Sequence, residues 1–86
     1  MGGLTKSQYL GMTEKERRDI ALRSKSKIIH RYAASDEQES VRIALLLNHS
    51  AWKDEAILKR MLRKEPIMQI RLKIEQILLN RMLRGS

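Results

Sequence analysis

At 86 residues the chain is the size of one domain, and 18 Lys or Arg against 10 Asp or Glu give it a net charge of +8. So short a chain buries only a modest share of its surface, and with no cysteine it has neither a disulfide nor a thiolate–metal site to brace it. The positive surplus favours polyanionic partners, while the aromatics Tyr9, Tyr32 and Trp52 are too few for a platform that stacks successive bases.

Residues 1–12 are expected to be flexible or to hold one short helical turn near 6–11. Thr13 and Glu16 have the capping-box spacing, in which side chains and backbone N–H groups satisfy one another, and they open a predicted helix over 14–33. Its middle, Arg23-Ser24-Lys25-Ser26-Lys27, is weakly apolar. It is either one helix with a stripe through Ala21, Ser24, Ile28 and Tyr32, or two helices parted near Ser24–Ser26.

Ser35 and Gln38 repeat the capping spacing before a second helix, 36–48. From Val41 to Leu47 only Arg42 is polar, and a helix that is apolar all round belongs in the middle of a fold. Ser50 is placed to cap a third helix, 51–64. Pro66 suits the first turn of a fourth, 66–84, where its missing N–H costs nothing. The fold class that follows is all-α: a compact bundle or short stack of four to five helices, in a single helical domain over 1–86.

The fourth helix carries an unusually wide apolar arc. At about 100° per residue, its Ile, Leu and Met side chains from Ile67 to Leu83 cover more than half of the circumference. One neighbour cannot bury that arc, so either two helices of the same chain cover it or a second copy does, as a homodimer through 66–84. Arg71 and Glu75 stand at the i,i+4 spacing of an ion pair.

One internal offset recurs. Val41-Arg42-Ile43 aligns with Ile70-Arg71-Leu72, 29 residues on; at the same offset Ile28-Ile29-His30-Arg31 meets Ile57-Leu58-Lys59-Arg60, and Asp36 meets Glu65. Each unit would be a helix ending near an acid, a tight turn, and a helix opening on a β-branched residue and Arg. The pattern resembles the HEAT-like helical repeat, with two copies over residues 28–74. The resemblance implies a stack of helix pairs in which Arg42 and Arg71 are structural, each bridging to the acid of a neighbouring unit. Ala44 fits the family's small-residue position, whereas Lys73 at the equivalent place departs from it.

No catalytic pattern stands out. His30 and His49 are the only histidines, on different predicted elements, and neither pairs with the residue types of a metal site or nucleophilic triad. Surface or capping roles are expected for both, with no enzyme activity, no metal and no cofactor. The segment from Ser40 through Asn48-His49-Ser50 to the third helix has helix-turn-helix lengths, but Asp54 and Glu55 in the would-be recognition turn would repel phosphates.

The candidate binding residues are basic. On the third helix, opposite Ile57, Leu58, Met61 and Leu62, fall Lys59, Arg60 and Arg63, with Lys53 and Lys64 at the margins and Trp52 at the end, placed either to stack on a base or sugar or to fold back onto the second helix. A second cluster, Arg17, Arg18, Arg23, Lys25, Lys27 and Arg31, lies in the first predicted helix. The residues taken forward as nucleic-acid-binding are Lys59, Arg60, Arg63, Trp52, Lys25, Lys27 and Arg31. The expected partner is nucleic acid held through its phosphates, or an acidic protein docked on the basic face and the apolar fourth helix. No apolar run reaches the roughly 18 residues that span a bilayer, and the opening residues lack a leader's apolar core. A cytoplasmic protein without a membrane role is expected.

Overall fold

Two threonines start the chain's first two helices. In the computed structural model, which describes residues 4–85, Thr5 and Gln8 form a capping box ahead of α1, Lys6–Leu10. Thr13 and Glu16 form the expected one ahead of α2, Glu14–Arg23. Then come α3, Lys27–Ala34; α4, Glu39–Leu46; a 3₁₀ turn, His49–Lys53; α5, Glu55–Lys64; and α6, Met68–Gly85. The described residues are all-α, with six helices where four to five were expected. Residues 1–3, the start of the expected flexible segment, lie outside the described residues.

The differences in boundaries have identifiable causes. The 14–33 stretch is two helices, the second of its two expected arrangements, because Ser24 and Ser26 adopt extended backbone. The Ser24 carbonyl accepts from His30 Nε2 at 2.7 Å and from Asn48 Nδ2 at 2.7 Å, so partners outside α2 hold it. The Ser35–Gln38 capping box does not form. Asp36 Oδ1 instead accepts the Gln38 N–H at 2.9 Å, and α4 begins only at Glu39. Asn48, not Ser50, caps the next element: its Oδ1 accepts the Ser50 N–H at 3.0 Å and opens the 3₁₀ turn, which delays α5 to Glu55.

Parallel neighbours organise the helices into two layers. α2, α4 and α6 lie side by side in one, α3 and α5 in the other, with sequential helices packing between them. α4 sits at the centre, as its composition demands: Val41 and Leu45 are fully buried, and Ala44 and Leu46 nearly so. Its outer residues Ile43 and Leu47 reach solvent. α6 contributes Ile70, Ile74 and Ile77 to the same core, but Met68, Leu72, Leu79, Met82 and Leu83 remain exposed. The chain's own helices therefore cover only part of the arc. No ion pair forms between Arg71 and Glu75, which are both exposed.

Polar networks lock both ends of the layers. At the first, Asp36 accepts from Arg17 Nε at 2.8 Å and from the Tyr9 hydroxyl at 2.6 Å, which pins α1 and α2 to the turn before α4. Arg42 donates to the Asp36 carbonyl at 2.7 Å and makes a two-pronged pair with Glu65, at 2.8 and 3.1 Å. Glu65 also accepts the Ile67 N–H, as Asp36 accepts that of Gln38. Two buried acids 29 residues apart thus do the same work.

At the other end, His30 is buried rather than a surface residue. Its Nε2 donates to the Ser24 carbonyl, and its Nδ1 meets the Asp54 carboxylate at 2.6 Å. Asn48 adds a bond to the Ala21 carbonyl at 2.9 Å. Among the described residues, no buried side-chain nitrogen or oxygen lacks a partner.

Removing one member of a buried pair leaves an uncompensated charge. Arg42→Ala is expected to cost about 3–5 kcal/mol by stranding Glu65. The Arg42→Met, Glu65→Leu double variant should lose much less; urea denaturation of the three proteins checks both. Burial first, and then the hydrogen bond donated to Asp36, push the Tyr9 hydroxyl well above its ordinary pKa. A raised value means that the stability linked to the neutral phenol is complete below about pH 10 and lost as pH climbs towards the folded-state value. Wild type should therefore lose its stability advantage over Tyr9→Phe in alkaline solution, read as converging urea midpoints between pH 8 and pH 11.

Candidate functional site

The neighbouring helices α3 and α5 leave a cleft of about 390 Å3 between them. Both helices are strongly amphipathic, and each turns a small or aliphatic residue into the cleft: Ala34 from α3, Ile57 and Met61 from α5. Their cationic side chains stand at its rim, Arg31 on one wall and Arg60 with Lys64, one turn apart, on the other. Asp36, Arg42 and Glu65 line the end where both helices terminate.

The charges at this cleft do not cancel. Asp36 is matched by Arg17, and Glu65 by Arg42, both pairs at 2.8 Å with buried carboxylates. Arg31, Arg60 and Lys64 are exposed, and none is in an ion pair among the described residues. Three positive charges are therefore left over a concave surface, a shape that concentrates potential better than a flat one does. An anionic group entering there meets donors on two sides and no competing carboxylate at the rim.

The cations named from sequence divide on folding. Arg31 and Arg60 come together at the cleft, and Lys64, marginal on the helical wheel, joins them. Lys59 pairs with Glu55 at 3.1 Å. Neither Lys59 nor Arg63 lines the cleft. Lys27 lies one turn before Arg31 and reaches Asp54 at 3.9 Å. Lys25 is exposed in the link between α2 and α3. The remaining members of the 17–31 cluster are engaged: Arg17 with Asp36, Arg18 with Glu14 at 3.9 Å and Arg23 with Asp19 at 3.2 Å.

Trp52 lies apart from the cleft. Its indole N–H donates to the Leu46 carbonyl at 2.8 Å, and its ring stacks on His49 with centroids 4.2 Å apart. The Lys73 ammonium approaches the same ring at 6.0 Å, and Arg81 donates to the Trp52 carbonyl at 2.7 Å. These contacts tie the 3₁₀ turn to α6. Trp52 is half-buried and folds back onto α4, the second of its two expected placements, with its ring already stacked and not open to a ligand base.

One signal in the sequence does point to the cleft. At the 29-residue offset Arg31 coincides with Arg60, and Asp36 with Glu65. Helices that are parallel neighbours in one layer bring equivalent positions side by side, so the offset pairs the two arginines and the two acids. Lys64, aligned with Ser35, carried no such cue. Among the described residues no group of three His, Asp or Glu side chains is placed to hold a metal ion. Compared with known proteins, the chain matches no family model, no curated protein and no solved structure, and its functional reading rests on the chemistry of its own surface.

Proposed function

We propose that this chain is a non-enzymatic nucleic-acid-binding module of the cytoplasm that grips the phosphate backbone through the rim of the α3/α5 cleft. The observation that carries this reading is the set of three exposed cations, Arg31, Arg60 and Lys64, standing together without carboxylate partners while the nearby acids are buried and matched. Lys25, in the link before α3, adds a further exposed cation, Lys27 on α3 is shared with Asp54, and Arg63 adds to α5 outside the cleft. Phosphate contacts fix position and carry little base information, so binding is weakly sequence-selective. We read the scaffold as a short helical-repeat stack, with Asp36 and Glu65 in equivalent turns and the arginines of neighbouring helices bound to them. No helix of the described residues is long and apolar enough to cross a membrane.

A salt titration tests the reading. Fluorescence anisotropy with a labelled oligonucleotide should give a linear fall of log K with log salt. The Arg60→Gln, Lys64→Gln double variant should flatten that slope by about 2, on the order of one per cation removed. Lys59→Gln, whose cation is already shared with Glu55, should change it less. Absence of binding at low salt would rule the reading out.

A second reading draws on α6. Met68, Leu72, Leu79 and Met82 are each more than half exposed and fall on one strip, opposite the buried Ile70, Ile74 and Ile77. On this reading the chain is an interaction module that covers the strip with another protein, either an acidic partner or a second copy. Sedimentation velocity tests the second copy: mass should rise with concentration for the wild type, and Leu72→Glu with Leu79→Glu should abolish that rise. A wild type that stays monomeric at the highest concentration removes the homodimer.

A further inference from the structure

The cleft encloses more space than phosphate contact requires. A duplex presents its phosphate ridges and groove edges with the bases stacked inside, and a convex row of cations meets it well. Here the cations ring a concavity of about 390 Å3, within the roughly 300–1,000 Å3 of pockets that enclose a small organic ligand. Its floor is apolar, formed by half-buried Ala34 and Ile57 and buried Met61.

That combination suits a nucleotide whose base has left its stack. The phosphates stay outside with the cations, and the flat face of the base meets the aliphatic floor. Single-stranded segments expose such bases, and an Arg guanidinium plane stacks on them much as an aromatic ring does. Arg31 and Arg60 stand on opposite walls, so guanidinium groups flank the opening from both sides. The scarcity of aromatics therefore does not bar base contact. At the closed end Asp36 and Glu65 are occupied by Tyr9, Arg17, Arg42 and backbone N–H groups, so they add no uncompensated negative charge. Ser35, exposed at the end of α3, supplies a hydroxyl to the same cleft.

We infer that the α3/α5 cleft receives one unstacked base of a single-stranded nucleic acid while Arg31, Arg60 and Lys64 hold the flanking phosphates. This rests on the phosphate-binding reading and adds to it a preference for single strands over duplex.

The test uses the full chain with labelled single-stranded RNA, single-stranded DNA and a duplex of equal phosphate number, compared by anisotropy at one low salt concentration. Ala56→Leu is the informative variant. Ala56 is an exposed helical position lining the cleft, so a larger aliphatic side chain narrows the space and removes no charge. Ala34→Leu, which raises the floor, is its companion, and circular dichroism verifies that both variants keep the fold. Single strands should bind about tenfold or more tightly than duplex, as one stacked base contributes. Ala56→Leu should remove most of that advantage while leaving duplex affinity and the salt slope unchanged. Equal affinity for single strand and duplex, or indifference of single-strand binding to both variants, overturns base insertion and leaves the phosphate reading standing. No binding of any oligonucleotide overturns both.

Discussion

An ionised carboxylate taken out of water has to meet a cation, and Glu65, 4% exposed, meets Arg42 in a two-pronged pair. Asp36 is in the same position and meets Arg17. Each of these acids also accepts the backbone N–H two residues on, so it shapes the turn that leads into the next helix. Such pairs add little net stability over an apolar replacement, because desolvation offsets the Coulomb attraction. What they supply is registry. A one-residue slip of α4 against α5 would leave a buried charge unmatched, so the pairs hold α3 and α5 at the spacing that opens the cleft.

The opposite end uses a different chemistry for the same purpose. Ser24, His30, Asn48 and Asp54 join the end of α2, the body of α3, the end of α4 and the start of α5. The helix ends there leave carbonyls without intrahelical partners, and a buried carbonyl needs a donor. Asn48 and His30 provide those donors from elsewhere in the chain. The break at Ser24–Ser26 is thus held by tertiary partners: a continuous helix would have kept its carbonyls to itself and offered nothing to His30.

These networks also sort the charges. With 18 basic residues against 10 acidic ones, many cations must remain without a carboxylate. Folding decides where they remain. The acids nearest the cleft are drawn inward to Arg17 and Arg42, and those on exposed helix faces meet cations one turn away, as Glu55 meets Lys59 and Asp19 meets Arg23. The rim of the cleft is left positive because its potential neutralising groups are committed to the architecture. Charge sorting of this kind links the stability of the fold to its surface potential through the same residues.

Local and periodic features were readable from the amino-acid order alone. The Thr13–Glu16 capping box, the all-round apolar helix that became α4 and the 29-residue echo of Asp36 in Glu65 each depend on neighbours or on helical repetition. The same holds for Arg31 and Arg60, 29 residues apart. Other features needed the third dimension. His30 looked like a surface or capping residue until two corners of the fold closed on it, and only the folded 3₁₀ turn decided between the two roles open to Trp52, by bonding its indole to Leu46 and stacking it on His49. Lys64 became a cleft residue only when α3 settled beside α5. Which stretches coil, which faces are greasy and how positive the whole is follow from spacing and composition along the chain. Which cations stay uncompensated, and around what hollow, was decided by the tertiary structure, because pairing a charge depends on distances between segments far apart along the chain.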